Sequence, residues 1–167
     1  QMCIRDSYDE AENMIEEKAF ITSRKSFAIA EDELGKMVYY NQSTSLLHVL
    51  ADGTLYRIDL KEDEKKVLAE NLTDERYAVS DDGHLMVYQT TEKEDKTAKL
   101  HIMNLKSGDD YTIKAEEGEN LRPIGFINGD FIYGKVNPAD TGITVSGEEI
   151  TPMYEVQIRN EKNKEAA

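Results

Sequence analysis

The chain has 167 residues, 34 acidic against 20 basic, a formal net charge of −14 and a single cysteine, Cys3. That length is enough for one domain with a sizeable core. The carboxylate excess repels phosphate, which argues against nucleic-acid partners and anionic lipid and for solubility. One thiol excludes an intrachain disulfide framework or a cysteine-built metal site, and no apolar stretch approaches the roughly 18 residues of a membrane span.

In chain order, Gln1-Met2-Cys3-Ile4-Arg5-Asp6-Ser7 resembles the translated read-through of a sequencing adaptor. Residues 1–7 are therefore expected to stand outside the native fold, and they lack the basic start and apolar run of a signal peptide. Residues 8–22 set Ala11, Met14, Ile15 and Ala19 at helical spacing among acidic residues, the pattern of a short amphipathic helix, with a linker or the remnant of a preceding blade as the alternatives.

Beyond residue 22 the chain repeats. Met37-Val38-Tyr39-Tyr40 returns as Leu85-Met86-Val87-Tyr88 and as Phe131-Ile132-Tyr133, following Gly35, Gly83 and Gly129 at spacings of 48 and 46. Each run is too short for a helix and continuous enough for a strand buried on both faces. A second run, Leu55 to Leu60, returns as Leu100 to Leu105 and as Met153 to Ile158. Lys66–Ala69 and Tyr111–Lys114 follow it. Phe27–Ala30, Tyr77–Ser80 and Ile124–Ile127 precede the first run. Leu46 to Leu50 is extra in the first copy and, with Ala51-Asp52-Gly53, reads as a strand and a hairpin turn. Asn137 to Ile150 reads as a loop insertion in the third copy.

Four short strands in about 45 residues is the period of a β-propeller blade. The expected fold is all-β: complete four-stranded antiparallel blades over 23–72 and 73–120, an incomplete blade over 121–160, and a frayed polar tail over 161–167. Closed propellers have roughly four to eight blades. The expectation is thus a piece of a longer propeller, with open blade edges that favour pairing with other chains.

Asp52–Leu60 (DGTLYRIDL), Ala78–Thr90 (AVSDDGHLMVYQT) and Gly125–Gly134 (GFINGDFIYG) are similar to blades of bacterial TolB-like and WD40-like propellers. The stretch from Tyr8 to Asn160 also resembles the propeller part of large cell-envelope proteins of Gram-positive gut bacteria. This resemblance implies a propeller fold, an extracytoplasmic setting in the envelope or secreted, and a binding or scaffolding role. It brings no catalytic residues with it. The WD40 signature itself is missing, since the chain has no Trp.

Motifs that carry chemistry are absent. His48, His84 and His101 have no metal-ligand spacing. No Gly-x-Ser-x-Gly elbow and no phosphate loop occur. Asp81-Asp82-Gly83 departs from calcium-loop spacing and reads as a capped β-turn. Asn41-Gln42-Ser43 and Asn71-Leu72-Thr73 match the glycosylation pattern. Tyr39, Tyr88 and Tyr133 read as core residues. Catalytic, cofactor-binding and metal-binding residues are each expected to be none. The expected function is a non-catalytic module that meets a protein or glycan partner, with the Asn137–Ile150 loop as the contact. The alternative is an accessory propeller of a larger serine-peptidase-type hydrolase whose catalytic domain lies outside this chain.

Overall fold

The computed structural model describes residues 2–9, 14–21, 34, 36–91, 97–147 and 149–160. It forms two compact units, Gln1–Asn71 and Leu72–Ala167. The chain is all-β, with two four-stranded antiparallel sheets and one of three strands, the pattern of two complete propeller-type blades and an incomplete one. Phe27–Ala30 and the tail 161–167 lie outside the described residues.

In the first unit, β1 (Met2–Asp9) and β2 (Met14–Ile21) pair as an antiparallel ribbon. Over Met14–Ile21 this corrects the helix and linker readings; of the expectations for this segment, only the blade remnant is a strand. A lone helix of that length is marginal in water, whereas pairing with β1 satisfies the backbone donors and acceptors of both segments. The expected non-native residues 2–7 form part of β1.

The sheet of this unit runs β3 (Val38–Asn41), β4 (Leu46–Ala51), β5 (Thr54–Asp59) and β6 (Glu64–Ala69), in that spatial order. Asp52 and Gly53, both at positive φ (51° and 70°), make the tight β4–β5 turn. Asp-Gly suits it because both positions need left-handed backbone. Leu47, Val49, Ala51, Ile58 and Leu60 form its core cluster, with Leu34 and Tyr56 packed against them.

In the second unit the middle sheet is β7 (Tyr77–Val79), β8 (Leu85–Thr91), β9 (Ala98–Asn104) and β10 (Asp110–Lys114), again in sequential order. The third sheet is β11 (Asn120–Ile127), β12 (Asp130–Val136) and β15 (Met153–Arg159). The insertion between β12 and β15 holds a two-stranded ribbon, β13 (Gly142–Ile143) and β14 (Glu149–Ile150).

Matching hydrogen bonds within each sheet show which strands of the first two sheets correspond. Leu60 N donates to Ser45 O (3.0 Å) and Leu105 N to His84 O (2.7 Å). Asp59 Oδ1 accepts from Lys61 N and Glu62 N, as Asn104 Oδ1 does from Lys106 N and Ser107 N. The second run is thus equivalent in both copies. The first run is not: Leu46–Ala51, read as extra, is the counterpart of Leu85–Thr91, and Val38–Asn41 is the counterpart of the edge strand β7. An apolar run of four reports burial, not strand position within a blade, so the shared glycine aligned the wrong pair.

The middle and third sheets share one core: Val87, Leu100, Ile102 and Ala115 from one, Leu121, Phe131 and Tyr133 from the other. Phe131 stacks on Tyr133 and tilts against Phe126, both at 5.4 Å between centroids. The β7–β8 turn and the Asn128–Gly129 turn line the same hollow. Tyr111 on β10 donates to Asn160 O just after β15 (3.4 Å). β11 packs across β7, β8 and β9, and opposite faces of the repeat meet. Ile132, Val156 and Ile158 are then the counterparts of Val87, Leu100 and Ile102.

Candidate binding rim

Two ends of the second unit carry loops. At one end, Ser80, Asp81, Asp82, His84, Phe126 and Gly129 surround a hollow of about 450 Å³. Ser80 Oγ donates to Asp82 Oδ1 (2.7 Å), and His84 Nδ1 lies 2.5 Å from the same oxygen. The Ser80 hydroxyl, then the His84 contact, hold the Asp82 carboxyl below its ordinary range. Asp82 sits between the serine and the histidine, so the imidazole does not reach the hydroxyl as a base would. With Gly83 at φ 74°, the group is a capped turn.

At the other end, the turn 115–119 and the start of the insertion, Asn137–Ala139, line a hollow of about 690 Å³ together with Thr97 and Lys114. Glu119 N donates to Glu116 O (3.1 Å), and Gly118 at φ 81° closes the acidic turn. Asn137 Oδ1 accepts from Ala139 N (3.0 Å) and starts the insertion. The insertion, read as a loop, contains paired strands: Gly142 opposes Ile150 and Ile143 opposes Glu149. Gly147 N to Thr144 O (2.9 Å) closes its tip. Ile143 is 78% exposed and Val145 fully exposed. Tyr154 on β15 donates to Glu119 Oε1, and that bond to a carboxylate pushes its phenol up to about 12.

The remaining singled-out residues have structural surroundings. Asn41, in the first glycosylation pattern, is buried, and its Oδ1 accepts from Ser43 N (3.0 Å) and Ser43 Oγ (2.6 Å) as a turn cap. His101 stacks on Tyr88 at 4.8 Å and bonds Thr90 Oγ1 through Nε2 (2.8 Å). His48 is buried in β4 with neither ring nitrogen hydrogen-bonded. Burial, then the Arg57 charge, holds its pKa down to about 4. Tyr133 is buried as expected. Among the described residues no group of His, Cys, Asp and Glu is arranged to hold a metal ion. Among them, too, no helix is long and apolar enough to cross a membrane.

Sequence reading missed two polar devices. Gln89 Nε2, buried on β8, donates to Asn120 Oδ1 (2.7 Å) and Leu121 O (2.8 Å), joining the middle sheet to the third. On the inward face of β15, Arg159 Nη2 donates to Gln157 Oε1 (3.1 Å) and Lys135 pairs with Glu155 (3.5 Å). Residues 31 apart carry no spacing signal for such contacts.

These sheets and turns define an all-β repeat of propeller-type blades. No family model and no curated protein matches the chain. Among solved structures it is similar to the tricorn protease at 11% identity and a TM-score of 0.38, over 73% of this chain and 13% of that one. A likeness of that size says nothing of activity.

Proposed function

We propose that the chain is a non-catalytic binding or scaffold module of a bacterial envelope or secreted propeller-type protein, and that it holds a protein partner at the 115–119 and 137–152 rim. The observation that carries this reading is the β13–β14 hairpin, which holds Ile143 and Val145 out to solvent in an insertion whose first residues, Asn137–Ala139, line a hollow with Glu116, Glu117 and Glu119. Apolar side chains held out on a paired turn, in an insertion that starts at an acidic turn, suit a protein surface that offers an apolar recess and, at its edge, lysine or arginine. A glycan would meet hydroxyls and flat aromatic faces instead. The envelope setting rests on the likeness of the three repeat segments to bacterial propellers.

The test is affinity capture with the whole chain, with a variant lacking residues 139–149, and with Ile143→Asp/Val145→Asp. Partners recovered by the parent chain and lost from both variants support the rim. Partners retained by both variants place binding elsewhere.

A further inference from the structure

The strand β15 is inverted, and it ends its sheet. Glu155, Gln157 and Arg159 face inward, while Val156 and Ile158 face solvent at 55% and 40% exposure. Among the described residues β15 is the last strand of the third sheet, whereas its counterparts β5 and β9 each carry a fourth strand, β6 and β10. In the middle sheet Asn104 N donates to Asp109 O (2.8 Å) and Ala115 N to Ala98 O (2.9 Å), so Ala98, Leu100 and Ile102 turn their backbone groups to β10. Their counterparts Tyr154, Val156 and Ile158 turn theirs to the open edge of β15. A hollow of about 190 Å³ between β10 and β15, lined by Ile113, Lys114, Tyr133, Gln157 and Arg159 among others, leaves room for the inward side chains of an added strand.

The repeat also defines the chemistry of such a strand. On β10, Asp110, Tyr111, Thr112, Ile113 and Lys114 stand opposite Met103, Ile102, His101, Leu100 and Lys99 of β9. A strand of that sequence laid on β15 in the same register would set Asp110 opposite Arg159, Tyr111 opposite Ile158, Thr112 opposite Gln157, Ile113 opposite Val156 and Lys114 opposite Glu155. Unlike charges then meet at both ends, and apolar residues flank the exposed Val156 and Ile158. The β6 sequence does not fit, because its own register would bring Lys65 opposite Arg159 and Lys66 opposite Ile158. Glu161-Lys162-Asn163-Lys164-Glu165-Ala166-Ala167 holds no triplet like Tyr111-Thr112-Ile113.

We infer that the open edge of β15 is a strand-addition site for an extended segment of a partner protein. The segment runs antiparallel to β15, with an acidic residue opposite Arg159, apolar residues opposite Ile158 and Val156, and a basic residue opposite Glu155. Main-chain hydrogen bonds to Val156 and Ile158 hold it, and the two charges set its register. The site uses no residue of the β13–β14 hairpin, so it stands or falls separately from the binding rim.

Fluorescence anisotropy of a labelled synthetic peptide with the sequence of Ser107–Ala115, titrated with the whole chain, tests it. This peptide is expected to bind saturably, and one with the sequence of Lys61–Ala69 is not. N-methylation at the peptide's isoleucine, whose N–H meets β15, is expected to abolish binding, and N-methylation at its threonine, whose N–H points away, to leave it. Lys114→Glu in the peptide is expected to weaken binding about tenfold, since it sets a carboxylate against Glu155. In β10's own place the same change would face Lys99 and tighten binding. Glu155→Lys in the chain, at a side chain 42% exposed, is expected to restore the affinity of the Lys114→Glu peptide. Absence of saturable binding, indifference to N-methylation at the isoleucine, or tighter binding of the Lys114→Glu peptide to the parent chain overturns the inference. Binding seen only after removal of residues 161–167, or only on dilution of a self-associated chain, assigns the edge to the tail or to a second copy and overturns it too.

Discussion

On the middle sheet, Leu85, Met86, Val87, Tyr88 and Gln89 of β8 are all buried, whereas β15 of the third sheet alternates between a polar inward face and an apolar outward one. The two sheets are copies of one repeat and share one core. Their difference shows that each strand carries residues for both of its neighbours. A strand covered on both faces reads as continuously apolar, and one with an open face turns apolar residues to solvent. Four substitutions break or sharpen that comparison.

The largest effect belongs to Phe131, 1% exposed between the two sheets. Phe131→Ala is expected to cost about 3–5 kcal/mol of the second unit's stability, read as a lower urea midpoint. A cost below about 1 kcal/mol would mean that the sheets do not share a core.

Next is His48, which stands in the first sheet at the position of Val87. Its pKa is about 4 folded against 6.5 ordinarily. Between those values the unfolded chain binds the extra proton, so stability is fully present above about 6.5 and is lost as the pH falls towards about 4. The loss is on the order of 3 kcal/mol. His48→Val, the repeat's own residue at the counterpart position, should remove this dependence. Parallel stability–pH curves for parent and variant between pH 4 and 6.5 would contradict it.

A smaller effect is expected at Gln89, whose amide joins the sheets through Asn120 and Leu121. Gln89→Leu leaves Leu121 O short of a donor and is expected to cost about 1–3 kcal/mol in urea unfolding. The smallest is at Val145, fully exposed on the hairpin tip. Val145→Ser should change stability by no more than about 0.5 kcal/mol. A larger thermal shift would show that the tip is packed.

Much of this architecture was legible in the residues. The Leu85–Tyr88 run announced a strand covered on both sides, and Asp52-Gly53 and Asn128-Gly129 announced tight turns. Both turns have positive φ at both positions. Met37–Tyr40 misled because an apolar run gives burial without strand order, and the true counterpart, Leu46–Ala51, lacks a preceding glycine. The alternation of β15 was visible, but periodicity cannot say which face is covered, so the inversion was not. Of the rim, the insertion was legible from Pro138, Gly142 and Gly147. Its pairing was not, because β13 and β14 have two residues each.

The central claim is that the middle and third sheets are stacked blades forming one cooperative body. A double-mutant cycle with Gln89→Leu and Asn120→Ala measures it most directly, since these side chains meet across the two sheets at 2.7 Å. The expected coupling is about 0.5–3 kcal/mol. Single effects that add within about 0.3 kcal/mol would contradict the stacked arrangement.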